Sequence, residues 1–431
     1  PNGNDSLDNN PAAPEWVQFY GQAYDFDPKT TLNQDQGGPT LNLYEYADVT
    51  DENIYFLTVE TGARTRMADV PSAPLGGTPA ADFGGVSHQE TDNAWLPLAN
   101  NDPWYWKPGF AAPGSRTDPV PLPGLASGTA PARVIVRLRG FSESSTVNPD
   151  HHSRITVQYD GTPGHILTTN DDDGTFDGRM IYTHDFIWTY PGSGPQLQDP
   201  AYVKSGAITI SGIANSMTLD SIEIRYRRAF AASGDALTFD YPNGDAEFLV
   251  TGFASGPTAP PSVYEITSKI GTTGIVNTSR LTSAAISGAG PYSVRFHVAL
   301  DNSIPAGTNR RFVVAGGGGA AIPADPDFTA DTVSDLLNTT HQADLIVITR
   351  PEVYGAVSTT TLNQLLLLRL AQQGITSKVV MLEDVQDEFN YGIYGPNAVR
   401  NFLGWVMSTT PGQGWASPKP TYVMLIGDGS Y

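Results

Sequence analysis

The 431-residue sequence contains no cysteine. Within these residues that excludes disulfides, thiolate-bound zinc or iron–sulfur clusters, and a cysteine nucleophile. Positive charge is scarce: 24 Lys and Arg stand against 45 Asp and Glu, a formal net charge of −21. Recognition of a phosphate backbone or an anionic membrane uses clustered cations that release counterions. Nucleic acid is therefore not an expected partner. No run of about 18 apolar residues occurs, so no transmembrane helix is expected. The sequence opens on Pro1, without Met and without a charged-then-apolar leader. That start reads as processed, as in an exported protein.

What is abundant points to β structure. Gly (44), Pro (34), Tyr (19) and Phe (17) are plentiful, while charged residues are only 16%. This composition suits loop-rich sheets better than helix bundles. Short aromatic and β-branched runs bounded by turn residues recur from Trp16 onward, at 16–21, 41–47 and 53–60. They read as strands. PARVIVRLRGF (131–141) alternates, with Val134, Val136 and Leu138 on one face and Arg133, Arg137 and Arg139 adding charge around them. The segments 154–161, 207–212 and 221–228 continue that style, as do 239–241, 248–253, 263–267, 292–300 and 310–316. Several short strands at such spacing suggest antiparallel sandwich or jelly-roll modules.

After about residue 330 the pattern changes. ADLIVITR (343–350), SKVVMLEDV (377–385) and PTYVMLIG (420–427) are continuous apolar strands. Between them, 360–374 reads as a helix closed by Gly374, and 395–408 as a helix with Pro396 in its first turn. SDLLN (334–338) reads as a short helix. Continuous apolar strands alternating with helices imply a parallel α/β sheet, with sites at the C-terminal ends of its strands. The expected organisation is an exposed arm over 1–15 and a β module with long loops over 16–130. A sandwich or jelly-roll-like module over 131–232 and further strands and a linker over 233–328 follow. The first part of a parallel α/β unit, incomplete as it stands, occupies 329–431.

Several groups carry potential chemistry. TNDDDGTFDG (169–178) places Asp171, Asp173 and Asp177 in a Gly-containing loop; alternating oxygen donors suit Ca2+, which takes 6–8 oxygen ligands. An acidic hairpin loop is the alternative, and DFDPKTTLNQDQ (25–36) is a weaker case of the same kind. Asp384, Asp387 and Glu388 form an acidic group after the second parallel strand, either a cation or salt-bridge site or a solvated loop anchored by Phe389. Gly427, Asp428 and Gly429 lie where the third strand exits, either shaping a cleft or making and capping a turn. His88 and Glu90 share a face if extended and are expected to hydrogen-bond. His151 and His152 point to opposite faces, so one shared metal is not expected. Trp95, Trp104, Tyr105 and Trp106 are either buried anchors or a sugar-stacking platform. Gly316–Gly319 lacks the Lys-Ser/Thr of a phosphate loop. Ser430 lacks the following glycine of a nucleophile elbow.

The longest ordered motif is EDVQDEFNYGIYGPNAVRNFL (383–403), which holds Asp384, Asp387, Glu388, Phe389 and Gly392. With ADLIVIT (343–349), AQQGI (371–375) and VMLIGDGSY (423–431), it resembles the gingipain-like cysteine peptidases of family C25. That group includes the sortase of the type IX secretion system. Upstream, FYGQ (19–22), YADVTDENIYFL (46–57), TGART (61–65), VIVRLRG (134–140), IEIRYRRAF (222–230) and FLVTGFAS (248–255) resemble the β region of these proteins.

The resemblance implies a secreted or cell-surface bacterial protein with β modules ahead of a peptidase unit made of two α/β halves. The first half is catalytically silent, and the second carries a His in a Gly-His-Gly context and a Cys. Neither motif occurs in this sequence, so the family's catalytic pair maps onto no residue here. The expected partners are a polypeptide substrate or the remaining half of the peptidase unit, with surface assembly. Calcium is the single cofactor considered. A non-catalytic structural or adhesive subunit that reuses the scaffold is the alternative.

Overall fold

The computed structural model describes residues 26–32, 40–46, 54–56, 67–91, 93–95, 104–110, 113–126, 131–158, 172–188, 206–214, 216–267, 279–304, 308–317, 330–331, 333–356 and 359–427. The chain divides into two compact units. One comprises Pro28–Tyr46 and Gly62–Ile322; the other comprises Pro1–Asp27, Ala47–Thr61 and Pro323–Tyr431.

Strands β1 (Phe26–Leu32) and β2 (Thr40–Tyr46) form a two-stranded sheet. The first therefore occupies much of the stretch read above as a weaker cation loop. Then come β3 (Ala68–Pro71), β4 (Phe83–Gln89), β5 (Ala94–Trp95), β6 (Trp104–Tyr105), β7 (Lys107–Phe110) and β8 (Gly114–Val120). They are followed by β9 (Ala132–Gly140), β10 (His151–Gln158), β11 (Asp172–Phe176), β12 (Ile181–Trp188), β13 (Gly206–Ala214) and β14 (Met217–Arg228). One sheet runs β12-β9-β14-β4, with β7 also on β14; another runs β11-β10-β13-β8. The alternation in β9 is realised: Val134, Val136 and Leu138 are fully buried in a shared core with Ile155, Leu219 and Ile224. Each such side chain contributes about 2 kcal/mol by leaving water. Arg137 and Arg139, on the opposite face, are buried as well. Arg137 meets Asp220 at 3.1 Å, and Arg139 donates to the Tyr105 hydroxyl.

The second sandwich contains β15 (Ala236–Pro242), β16 (Ala246–Phe253), β17 (Ser262–Glu265), β18 (Ser279–Thr282), β19 (Ala285–Ser287), β20 (Tyr292–Val298) and β21 (Asn309–Ala315). Its sheets run β15-β21-β17-β18-β3 and β16-β20-β19. Phenylalanines fill the space between them: Phe239, Phe248, Phe296 and Phe312 are buried, with Phe83 and Phe230 beside them. Rings lie 5.0–6.1 Å apart in tilted and edge contacts, the geometry aromatic pairs favour. The described strands within 16–130 are divided between the two sandwiches. β3 adds in parallel to β18, whereas β4 and β8 complete the first sandwich. Strands so short and Gly/Pro-rich cover no core of their own, so they join sheets built downstream.

The smaller unit holds β22 (Leu345–Thr349), α1 (Pro351–Ala356), α2 (Thr359–Gln373), β23 (Ser377–Met381), α3 (Leu382–Asn390), α4 (Pro396–Val406) and β24 (Tyr422–Ile426). The sheet is parallel, in the order β23-β22-β24. Leu345 and Val347 face α2 through Leu362, while Ile346 and Ile348 face Val385, Phe402 and Trp415. Gly374 closes α2 at φ +69°, where its N–H reaches the Leu370 carbonyl. Two readings are corrected. The strand expected over 377–385 ends at Met381, because Leu382, Val385 and Phe389 recur at helical spacing and pack inward as α3. SDLLN is a turn, not a helix.

Candidate functional site

In a parallel sheet the chemistry is expected beyond the C-terminal strand ends. β22 ends at Thr349, which is buried, and β23 runs straight into α3. Arg350 follows β22, with its Nε 3.3 Å from Glu383 and 3.4 Å from Glu352. Gly427, at the end of β24, is exposed; Asp428 and Gly429 lie outside the described residues. Glu388 points away to a structural task. Its carboxylate accepts the N–H groups of Leu336 (2.8 Å) and Leu337 (2.9 Å) and the Ser334 hydroxyl. Phe389 packs on Phe402 with the rings tilted and 5.2 Å apart. Gly392, at φ +78°, lies where a Cβ would strike the Ile54 side chain at 2.7 Å.

Asp384 and Asp387 are one helical step apart on α3. Burial, then the charge and hydrogen bond of Asp331, then Asp384 and Glu383, push the Asp387 carboxyl up to about 6. Burial and the charges of Glu388, Asp331 and Glu383 also raise Asp384. This cluster can hold a shared proton near neutrality. His341, the described histidine of this unit, is occupied by Asp335 at 2.8 Å and by Lys378 at 2.9 Å.

The first sandwich contains a constellation that no sequence pattern announces. Asp172, His184 and Ser153 stand on β11, β12 and β10. His184 Nδ1 is 2.7 Å from Asp172 Oδ2, and His184 Nε2 is 2.7 Å from Ser153 Oγ. These are the hydrogen bonds of an acid–base–hydroxyl relay. However, Ser153 and His184 both have 0% exposure, so no substrate reaches the hydroxyl. The relay joins the two sheets through their interior. Beside it, His151 is buried, with Nδ1 2.7 Å from Asp150 and Nε2 3.0 Å from the Ser216 carbonyl. His152 points outward to Asp173, opposite to its neighbour. On β4, His88 meets Glu90 at 2.8 Å and Glu223 at 3.4 Å. Burial opposes its charge, yet the two carboxylates win and raise its pKa.

Of the residues considered for calcium, Asp171 lies outside the described residues. Asp173 is on β11 rather than in a loop; it pairs with Arg154 at 2.7 Å and with His152. Asp177 accepts from Asn148 at 2.6 Å. Among the described residues no group of three His, Asp or Glu side chains is arranged to hold a metal ion. Tyr105 is buried and Trp106 packs against the first core, as anchors do; the side chains of Trp95 and Trp104 lie outside the description. Gly316 is a packing glycine: a Cβ there would sit 2.2 Å from Asp235 Oδ2.

Residues 338–431 match the family model described as Peptidase family C25. This segment is similar to peptidase family C25. No curated protein sequence matches the chain. Among solved structures, dimeric latent PorU from Porphyromonas gingivalis superposes with a TM-score of 0.50 at 12% identity. The match covers 78% of this chain and 29% of that one, so this chain spans well under half of PorU's length. At that identity the likeness shows a common fold: antiparallel β modules followed by the α/β C25 segment. The N-terminal CBM22-1-CBM22-2 tandem domain of Paenibacillus barcinonensis Xyn10C also aligns. Its identity is 10%, with 58% of this chain and 96% of that one covered, but the TM-score of 0.20 supports no argument. Among the described residues no helix is long and apolar enough to cross a membrane.

Proposed function

We propose that this chain is the N-terminal portion of an exported, cell-surface cysteine peptidase of the gingipain-like type. In this reading the C25 segment is the non-catalytic first part of the peptidase unit. Sequence outside this chain supplies the Cys and His. The observation that carries it is the uncovered apolar side of the C25 segment. Among the described residues β24 pairs with β22 alone, and Tyr422, Val423 and Leu425 are 53%, 45% and 68% exposed. On the neighbouring helix α2, Leu365, Leu367, Leu368 and Leu370 are also exposed. An apolar edge strand beside a helix with exposed leucines is a liability for a free surface and a natural seam for another strand and helix. The β modules then serve to position the peptidase unit and to mediate surface assembly.

The experiment is affinity labelling of the native, full-length protein with a thiol-reactive peptidyl inhibitor, before and after Leu425→Lys and Val423→Lys together. The reading predicts a labelled cysteine in the native material. It also predicts loss of labelling in the double variant, while the β modules melt unchanged. No labelled species in native material would favour a structural or adhesive subunit.

A further inference from the structure

Residues 72–80, SAPLGGTPA, cross the edge of the second sandwich as a strap with no titratable side chain of its own. It is tied down almost entirely from β16 and β20. Glu247 accepts the N–H groups of Gly76 (3.0 Å) and Gly77 (2.9 Å), and Arg295 donates to the Gly77 carbonyl at 3.0 Å while pairing with Glu247. Ala73 donates to the His297 carbonyl at 2.9 Å and Ala80 to the Glu247 carbonyl at 2.8 Å. At the strap's start, His297 Nδ1 is 2.6 Å from the Pro74 carbonyl, and His297 Nε2 is 3.0 Å from Asp245 Oδ1.

Both ring nitrogens of His297 therefore face atoms that can only accept. A neutral imidazole has one N–H and satisfies one of them; an imidazolium satisfies both. We infer that His297 is a pH-operated pin: protonated, it clasps the strap through Pro74, and on losing its proton it loosens residues 72–80 from the sandwich. The groups that face it from the packed elements are consistent. Asp245 precedes β16, Glu247 lies opposite it in the β16–β20 register, and Arg295 is engaged by Glu247. β19, on the other side of β20, contributes Ala285, Ile286 and Ser287, none of which titrates.

The Pro74 carbonyl favours the charged ring most; burial works against it, and Asp245 and Glu247 add to the preference, so the pKa is raised above 6.5. A raised basic group contributes fully below its unfolded value, and the contribution is lost as pH rises through the folded value. The clasp is thus closed on the acid side and opens as pH rises above that of an ordinary histidine.

The test is hydrogen exchange of the 72–80 amides in the full chain, corrected for intrinsic chemistry, with nitrogen NMR of labelled histidines. From about pH 5.5 to about pH 8.5 the native strap should exchange about tenfold faster, with His297 changing from two protonated nitrogens to one. In His297→Gln the strap should show no such transition. Asp245→Asn, at a position 73% exposed and safe for folding, should move the midpoint to lower pH. Strap exchange that follows intrinsic chemistry alone, or an unchanged midpoint in Asp245→Asn, would overturn the proposal.

Discussion

Glu388 on α3 accepts the backbone N–H of Leu336 at 2.8 Å, tying the C25 motif helix to a turn 52 residues earlier. The same carboxylate takes Leu337 and Ser334, so one side chain satisfies three donors ahead of β22. Charge-assisted bonds of this kind are worth more than neutral ones. Glu388→Ala should destabilise the C25 segment by about 2 kcal/mol, and Glu388→Gln by less. Denaturant unfolding followed through Trp415, which is buried in that core, measures the loss.

Asp387 makes the same helix pH-sensitive. Its carboxyl is raised from 3.8 to about 6, so the fold binds its proton more tightly than the unfolded chain does. Its contribution to stability is fully present below about pH 4 and is lost as pH rises through about 6. Because Asp387 is only partly buried, solvent screening reduces the effect to about 1 kcal/mol. Asp387→Asn should flatten this part of the stability–pH curve; an identical slope in native and variant would refute the assignment.

Ser153 stands in a complete hydrogen-bonded relay but is sealed from solvent. Ser153→Ala should cost about 1–2 kcal/mol through the partner left with His184. Native protein should take up no fluorophosphonate at this serine. Labelling of Ser153, read by peptide mass spectrometry, would mean the sandwich opens and the relay has chemistry after all.

Gly140 closes β9 against the turn after β11. A Cβ there would lie 1.9 Å from the Gly178 carbonyl oxygen and 2.9 Å from His151 Cε1. The obstacle is backbone, which cannot swing aside. Gly140→Ala should therefore cost about 3 kcal/mol, seen as a lower melting temperature of the β region.

The contrast between these sites shows what the sequence carries. LIVIT (345–349), YVMLI (422–426) and the Pro396 helix were legible because buried parallel strands are continuous apolar runs and helix starts have local chemistry. The His88–Glu90 contact was legible from a spacing of two along a strand. FGGVSHQ (β4), GSRTDPV (β8) and DDGTF (β11) were not, since each is a strand only through the neighbours it pairs with. Asp173 looked like a loop donor for the same reason. α3 was hidden because SKVVM runs without a breaker into LEDVQDEFN, and only the Leu382, Val385, Phe389 spacing marks the change. The Asp172–His184–Ser153 relay is assembled from three strands and has no local pattern at all.

The most direct test of the peptidase reading is peptide mapping and intact mass of the native polypeptide with whatever co-purifies. The account predicts a species extending beyond this sequence, or a tightly held companion, that contains a Gly-His-Gly segment and a cysteine. It also predicts that this partner cross-links to β24 and α2. Native material with neither a cysteine-bearing extension nor a companion would contradict it, and would leave a C25 segment kept for its architecture alone.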